Sequence, residues 1–430
     1  MALTSRAVLV AAVGLLPVLL VPRLSTVVAW ALLLLLGCAV DLALAASPTQ
    51  LTPVRQVPHS TRLGEPVLAT VTVTNEGGRT ARLLVRDAWP PSAGTGKNRH
   101  RMTVPGGQAR RARTTLRPHR RGDRHADLVT LRSTGPLGLA ARQRSVQAPA
   151  RLRVLPAFTS RRHLPSRLAR LREMDGRAAV QTRGEGTEFD SLREYVIGDD
   201  VRAIDWRATA RRGDVVVRTW RPERDRRVLI VIDSSRLAAA RLGEEPRLEA
   251  QIEAALLLAA LASRAGDRVS VVAVDSVVRA RVAGVQGPRL MSALAEGLSQ
   301  VEASLVAMSW TQVTQAVRDS LSQRSLVVLL SALDPSTVTS GLLPVVGALT
   351  RDHQVVLASA SDPQAEEIRT DRRSAESIFD AAAAERGALE RLAVAGRLRR
   401  QGVEVVEGAP EDLPPALADV YLALKSAGRL

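Results

Sequence analysis

The chain has 430 residues, which is enough for about three domains of average size. It carries 60 Lys and Arg against 43 Asp and Glu, a net charge of +17, and 46% of its residues are hydrophobic. This composition is globular rather than disordered. The single Cys excludes an internal disulfide and any multi-cysteine zinc or iron–sulfur site within one chain. The two lysines, Lys97 and Lys425, lie outside any GxxxxGK[ST] loop, which argues against a P-loop ATPase or GTPase.

Two apolar stretches occupy the first fifty residues. Residues 7–21 and 26–46 each have nearly the length that crosses about 30 Å of hydrocarbon, and Arg23 lies between them. We therefore predict a two-helix transmembrane hairpin over residues 1–49. One alternative is a cleaved signal peptide, although no small-residue cleavage site precedes Arg23. Another is lipidation of Cys38, although the apolar run continues beyond it.

The charges that flank the hairpin predict its orientation. Arg6 precedes the first stretch, Arg55 and Arg62 follow the second, and Arg23 alone lies between them. Because positive charges favour the cytoplasmic side, both ends of the hairpin are expected to face the cytoplasm. We expect a protein of the cell membrane whose soluble domains face the cytoplasm.

Residues 50–150 have the pattern of short β-strands. Alternating apolar residues over 67–73, a turn signal at 75–78 and a second apolar run at 81–85 predict a hairpin. Repetition of such strands predicts a small antiparallel β-sandwich. Residues 151–226 have a weaker pattern and are predicted to be a connector with a short helix at 166–174.

Residues 227–430 alternate between strand and helix patterns. Strands are predicted at 228–232, 268–274, 326–330, 355–358 and 403–406, and helices at 248–265, 288–301, 311–323, 374–400 and 413–425. This alternation predicts an α/β domain with a doubly wound, mostly parallel sheet. Such a sheet binds ligands at the carboxyl ends of its strands, near the point where the strand order reverses.

The first of these strands ends in Asp233-Ser234-Ser235, which can offer oxygen ligands to Mg²⁺ or Mn²⁺. The sequence resembles the metal-ion-dependent adhesion site of von Willebrand factor A-like domains, whose motif is Asp-x-Ser-x-Ser. Leu237 stands where the motif has its last Ser. The resemblance implies that Thr311, at the start of a later helix, is a further ligand.

The same resemblance implies an Asp after the middle strand, but Ala332 stands there and Asp334 lies two residues further on. Two interpretations remain open. A degenerate site could hold a divalent cation through Asp233, Ser235 and Thr311. Alternatively, Asp233 and Ser235 form local hydrogen bonds that cap the next turn.

An ordered set of glycines, opposite charges and aromatic residues precedes this domain. Its members are Gly184, Gly186, Glu188, Phe189, Arg193, Glu194, Tyr195, Gly198, Asp199, Arg202, Asp205, Trp206 and Arg211. The set resembles the signature of the bacterial domain of unknown function 58 family. That family's usual layout is a membrane hairpin, a β-rich segment and a von Willebrand A-like domain, which matches the predicted elements. The run Gly135 to Leu139 is similar to another of its signatures, with Gly135 in place of a common Asp.

Three interpretations of this signature remain open. It could be a structural clamp in which arginines pair with carboxylates while Tyr195 and Trp206 pack. The candidate partners are Arg193, Arg202, Arg207 and Arg211 on one side and Glu188, Glu194, Asp199 and Asp205 on the other. It could also be a docking surface for a partner protein. Catalysis is the third interpretation, but the spacing suggests no nucleophile and base in reach of each other.

Basic runs at 99–124 and 151–172 suit either nucleic acid or anionic lipid. Aromatic residues make up 2% of the chain and are absent from 99–124, so we expect no specific nucleic acid binding. The habitual use of Arg as the basic residue is the simplest explanation. The six histidines form no HExxH motif.

The family resemblance implies a partner. Its members are commonly associated with MoxR-type AAA+ ATPases, thought to assemble or activate other proteins. A chain without a nucleotide loop fits a membrane-anchored, non-enzymatic adaptor or scaffold that works with such an ATPase and its client proteins, without a cofactor. The alternatives are a divalent-cation-dependent protein-binding module, and an enzyme whose site the sequence does not reveal.

Overall fold

The structure is a computed structural model that describes residues 2–181, 188–197, 199–221 and 226–430. The chain divides into two compact units, Met1–Leu155 and Pro156–Leu430.

The first unit contains the apolar helices α1 (Ser5–Val13), α2 (Leu15–Leu20) and α3 (Leu24–Leu44). Within the described residues, the segment that begins at Leu24 is the one helix long and apolar enough to cross a membrane, and Ser5–Leu20 is a shorter apolar helix. Trp30 Nε1 on α3 donates to the Val10 carbonyl on α1 at 3.2 Å. The two apolar stretches therefore pack against each other, with the longer one continuous and the shorter one divided at Gly14.

The strands of the first unit form two sheets. They are β1 (Ala2–Leu3), β2 (Leu51–Gln56), β3 (Ser60–Arg62), β4 (Val67–Asn75), β5 (Ala81–Asp87), β6 (Arg99–Val104), β7 (Ala109–Leu116), β8 (Gly122–Thr134) and β9 (Ala140–Leu155). The larger sheet has the order β1-β9-β8-β5-β6 with β3 beside β9, and the smaller has the order β2-β4-β7. Val71 and Val73 of the smaller sheet share an apolar core with Leu83 and Val85 of the larger one. The predicted strands at 67–73 and 81–85 are confirmed.

The second unit begins with a helix and a strand pair and continues with alternating strands and helices. Its first elements are α4 (Leu164–Gln181), β10 (Glu188–Glu194), α5 (Trp206–Arg212), β11 (Val216–Arg221), β12 (Arg227–Asp233), β13 (Arg241–Leu242), β14 (Glu245–Pro246) and α6 (Arg247–Arg264). Then follow β15 (Arg268–Val274), β16 (Val278–Val282), α7 (Pro288–Ser299), α8 (Trp310–Ser320), β17 (Leu326–Leu330), α9 (Pro335–Thr337), α10 (Leu343–Asp352), β18 (Gln354–Ala360), α11 (Pro363–Thr370), α12 (Ala375–Arg400), β19 (Val403–Gly408) and α13 (Leu413–Ser426).

The main sheet has the order β16-β15-β12-β17-β18-β19, with β16 antiparallel and the other pairings parallel. Helices cover both faces, because α6 and α13 belong to one apolar core and α8, α10 and α12 to the other. Strands that are buried on both faces have continuous apolar sequences, as β12 and β17 do. The chain leaves β12 toward β15 on one side and later returns to β17 on the other. The strand order therefore reverses between β12 and β17, which is the switch point of a doubly wound fold.

The predicted strands at 268–274 and 326–330 are confirmed at both ends. The edge strand β16 and the helices α10 and α11 were not predicted. The helix predicted at 166–174 is longer, and β9 continues to Leu155, five residues beyond the predicted end of the β-rich segment.

Candidate functional site

Asp233 lies at the carboxyl end of β12, at the switch point, and is fully buried. Its Oδ1 accepts a hydrogen bond from the Ser235 backbone N–H at 2.8 Å. Its Oδ2 accepts a hydrogen bond from the Ser331 hydroxyl at 2.6 Å, just beyond the end of β17. Both oxygens are thus engaged by the chain itself, which favours the capping interpretation of Asp233 and Ser235.

A second buried carboxylate, Asp275, follows β15 directly. It accepts hydrogen bonds from Ser304 Oγ at 2.6 Å, Arg279 Nε at 2.7 Å and the Val277 backbone N–H at 3.0 Å. Burial alone would raise the pKa of Asp275, but these hydrogen bonds outweigh it and lower the pKa to about 2. Asp275 is therefore an anion whose charge is matched by Arg279.

The segment between α7 and α8 lies across the carboxyl ends of β12 and β15. The Ser304 backbone N–H donates to the Ser234 carbonyl at 2.8 Å, and the Arg236 N–H donates to the Val306 carbonyl at 2.9 Å. The Ser309 N–H donates to the Asp275 carbonyl at 2.8 Å. The crevice where ligands of doubly wound sheets bind is covered on this side by the protein's own backbone.

Arg247, at the start of α6, brings a positive charge to the same end of the sheet. Its guanidinium donates to the Leu237 carbonyl at 2.7 Å and to the Ala360 carbonyl at 3.2 Å. Burial lowers the pKa of Arg247, and the nearby carboxylates Asp233, Asp362 and Asp334 oppose that shift. The guanidinium of Arg247 thus places a positive charge close enough to interact electrostatically with Asp233.

The third predicted ligand is Thr311, and Ala332 and Asp334 are the positions near which the resemblance implies a further Asp. Thr311 is exposed in the first turn of α8. Asp334 caps α9 by accepting from Thr337 N–H at 2.8 Å and Ser336 Oγ at 2.6 Å, and buried Ala332 offers no side-chain oxygen. Among the described residues, no group of three or more His, Cys, Asp or Glu is placed to hold a metal ion. Both oxygens of Asp233 accept hydrogen bonds from the chain and Arg247 lies nearby, so the arrangement favours capping over a Mg²⁺ or Mn²⁺ site.

A cavity of about 150 Å³ lies beside this end of the sheet, lined by Ser235, Arg236, Trp310, Ser340 and Gly341 among others. It is smaller than the roughly 300–1,000 Å³ typical of small-molecule sites. Gly341 is required here because a Cβ at this position would lie 2.2 Å from Trp310 Nε1.

The signature residues that the structure describes lie in the segment 188–221, here called the signature module, in which β10 and β11 pair antiparallel with Glu194 opposite Val216. Arg193 donates both terminal nitrogens to Asp199, at 2.6 and 2.5 Å, and this ion pair raises the pKa of Arg193. Asp199 also accepts the Val196 N–H at 2.9 Å. The predicted Arg193–Asp199 pair is confirmed, and it closes the loop between β10 and α5.

Asp205 caps α5, accepting the Arg207 and Ala208 N–H groups at 3.0 Å each. Its other oxygen accepts from Arg218 Nε at 2.8 Å. The Ala208 N–H and then Arg218 lower the pKa of Asp205. Arg218 was not among the partners predicted for this carboxylate, because it is supplied by β11, which sequence reasoning did not find.

The other predicted clamp contacts are not found among the side chains that the structure describes, and the side chain of Glu188 lies outside them. Arg202, Arg207 and Arg211 are exposed and make no ion pair within the described part of the chain. Trp206 is 68% exposed rather than packed, while Tyr195 is half-buried and Glu194 is exposed. An aromatic placed at the first position of a short helix points outward when no neighbouring element covers it.

Exposed apolar side chains accompany these arginines. Ile197 is 96% exposed and Val201 is 61% exposed, while Val216 and Val217 of β11 are buried. Gly184, Gly186 and Gly198 lie outside the described residues, and Glu188 and Phe189 are described only by their backbone at the start of β10. The module is therefore held together by two ion pairs and leaves apolar and basic side chains facing outward.

The family model described as "Protein of unknown function DUF58" matches residues 191–402. Among solved structures, the SpRpn10 VWA domain is similar with 11% identity and a TM-score of 0.28, covering 46% of this chain and 94% of that chain. The CARDB domain of the PF1109 protein from Pyrococcus furiosus is similar with 14% identity and a TM-score of 0.20, covering 27% and 92%. A FixG-related protein from Vibrio parahaemolyticus has 10% identity and a TM-score of 0.18, covering 24% and 96%. The search of curated proteins gave no match.

Proposed function

This chain belongs, through residues 191–402, to the DUF58 family, and on that premise we propose that it is a membrane-anchored, non-enzymatic adaptor. In this proposal its partner is a MoxR-type AAA+ ATPase, and the two act together in the assembly or activation of client proteins. The chain contributes recognition and the ATPase contributes the energy.

The proposal rests mainly on one observation, which is that the chain's own groups fill the ligand-binding crevice at the switch point. In a doubly wound fold a ligand-binding carboxylate is expected to face the crevice with free oxygens. Here Asp233 has both oxygens bound by Ser235 and Ser331, and the Ser304 segment lies across the adjacent strands. A protein that lacks a GxxxxGK[ST] loop and fills its own ligand crevice is better suited to binding another protein than to catalysis.

The membrane part of the proposal rests on α3, which is long and apolar enough to span a bilayer. The charge pattern around the two apolar stretches supports a cytoplasmic position for the soluble domains, where an ATP-dependent partner would be found.

The divalent-cation-dependent binding module is not favoured. It would need Asp233 to exchange its hydrogen bonds for a metal ion while Arg247 remains nearby. A positive charge held close to a carboxylate disfavours a second cation at the same place.

The test is purification of the full chain from its own membranes in mild detergent, beside an unrelated tagged membrane protein. We expect a AAA+ ATPase to be enriched over that control. W206S is expected to reduce the enrichment, and F379S, which changes a 77% exposed aromatic on α12, is the matched control. The absence of any enriched AAA+ ATPase, or ATP hydrolysis by the isolated chain, would overturn the proposal.

A further inference from the structure

One side of α5 carries three exposed arginines, and exposed apolar side chains lie elsewhere on the signature module. Arg207, Arg211 and Arg212, here called the arginine cradle, line an open depression of about 290 Å³ together with Leu192 and Ala208. All three are exposed and make no ion pair within the described residues.

The carboxylate that also lines the depression does not neutralise the cradle. Asp205 is committed to Arg218 and to two backbone N–H groups of α5. Because the charge of Asp205 is matched by Arg218, the described lining of the depression carries the positive charge of all three arginines.

Two further features indicate what would cover this face. Guanidinium groups bind carboxylates with bidentate geometry, and the same module already contains one such pair, Arg193 with Asp199. Ile197 and Trp206 are exposed large apolar side chains on the same module, and protein interfaces are enriched in Trp and Arg. A ligand that supplies both carboxylates and apolar side chains would satisfy both features.

We infer that the arginine cradle is a docking site for an acidic segment of a partner protein, and that this segment continues around α5 to place an apolar residue against Trp206. This inference rests on the proposed function, in which the chain recognises other proteins. Nucleic acid would leave the aliphatic Ile197 and Val201 without matching contacts. The hydrogen bonds from the Arg207 and Ala208 backbone N–H groups to Asp205 fix the first turn of the helix that carries the arginines.

The test uses the full chain in detergent and a short fluorescein-labelled peptide of mixed Glu and Leu. Its counterpart of Glu and Ser has equal charge and no apolar side chain. We expect the Glu/Leu peptide to bind more tightly than the Glu/Ser peptide in fluorescence anisotropy. R207E/R211E is expected to weaken binding by about tenfold or more, and W206A to weaken only the Glu/Leu peptide.

The matched control is R397E/R400E, which makes the same charge change at exposed arginines of α12. We expect it to change the Kd by less than about twofold, because long-range attraction to the basic chain is screened by salt. R207Q/R211Q provides a milder variant if the charge reversal disturbs folding, and it is expected to weaken binding in the same direction.

Three results would overturn the inference. One is equal binding to the wild type and R207E/R211E. Another is binding of phosphatidylglycerol vesicles or single-stranded DNA through the cradle without binding of the peptide. The third is self-association of the chain that is lost in R207E/R211E. The occupant would then be a second copy of the chain, which could offer its acidic cavity lined by Glu244, Glu245 and Glu411.

The outcomes separate this inference from the proposed function. Peptide binding at the cradle without a co-purifying AAA+ ATPase would support the docking site and contradict the ATPase partnership. The opposite result is a AAA+ ATPase that co-purifies equally with the wild type and R207E/R211E, together with equal peptide binding by both. It would support the ATPase partnership and contradict the docking site.

Discussion

Ser331 donates a 2.6 Å hydrogen bond to Asp233, and this contact joins the ends of β17 and β12, the two strands that flank the switch point. Both residues are buried. The hydroxyl thus bonds to one of the two carboxylate oxygens that would bind a cation in an Asp-x-Ser-x-Ser site.

S331A is expected to lower the free energy of unfolding by about 1–3 kcal/mol, because it leaves a buried carboxylate short of a donor. Ser336 offers a matched control, since its hydroxyl also lies 2.6 Å from a carboxylate, that of Asp334, but at an exposed position. S336A should change stability by about 0.5 kcal/mol or less. Urea unfolding of the full chain in detergent measures both, and equal effects would mean that the Ser331 contact is not important for stability.

Titration with Mg²⁺ and Mn²⁺ tests the same contact from another direction. Because Asp233 is already satisfied by Ser235 and Ser331, we expect the calorimetric heats of the wild type and D233A to agree. Heat that appears in the wild type and disappears in D233A would restore the metal-dependent binding module.

Asp275 gives a prediction for acid stability. Its folded pKa of about 2 lies below the value of about 3.9 for an unperturbed Asp, so between these values the unfolded state binds more protons. Stability from this group is therefore present above pH 4 and is lost as the pH falls toward 2. D275N should be less stable than the wild type by about 2 kcal/mol at neutral pH and should vary less between pH 4 and pH 2.

The control for this titration is D371N. Asp371 also has a pKa lowered to about 2, by an ion pair with Arg373, but that arginine is 89% exposed. Solvent screening should leave its loss with little effect. If D275N followed the wild-type acid curve, the hydrogen bonds of Ser304 and Arg279 would not be stabilising the anion.

The sheet of the second unit was predictable because its central strands carry a strong local signal. β12 and β17 are runs of Val, Ile and Leu, and β15 is rich in Val with Ser270 and Ala273 among them. Such runs can be recognised without knowledge of the neighbouring strands. The edge strand β16 alternates small apolar residues with Arg and is only partly buried, so it has no continuous apolar run.

The closure of the switch point was not predictable from local sequence. Ser331 lies 98 residues from Asp233, and it does not differ in type from the other serines near strand ends. Arg218 was missed as the partner of Asp205 for the same reason, since the pairing depends on the register of β11 against β10. Resemblance singled out the signature residues, but which of them face solvent depends on the elements that cover them.

The last prediction concerns Asp41, the one charged residue in the longer apolar stretch. It is fully buried on α3, and its carboxylate accepts backbone N–H groups from four consecutive residues, Leu137 to Ala140, at 2.7–3.3 Å. D41A would leave these donors without their acceptor, and we expect a loss of about 3 kcal/mol or more in detergent. L33A, at an exposed position of the same helix, is the control and should have little effect.

Substitution of Gly135 is a second, independent test of the contact between Asp41 and the loop that contains Leu137. A Cβ at this position would lie 2.2 Å from both the carbonyl and the Oδ1 of Asp41, so this segment has no room for the Asp that related signatures carry. G135A should therefore destabilise the chain in the same direction as D41A, and both should expose the loop around Leu137 to chymotrypsin. If D41A and G135A melted like L33A and kept the loop protected, the close contact between α3 and this loop would not exist in the folded protein.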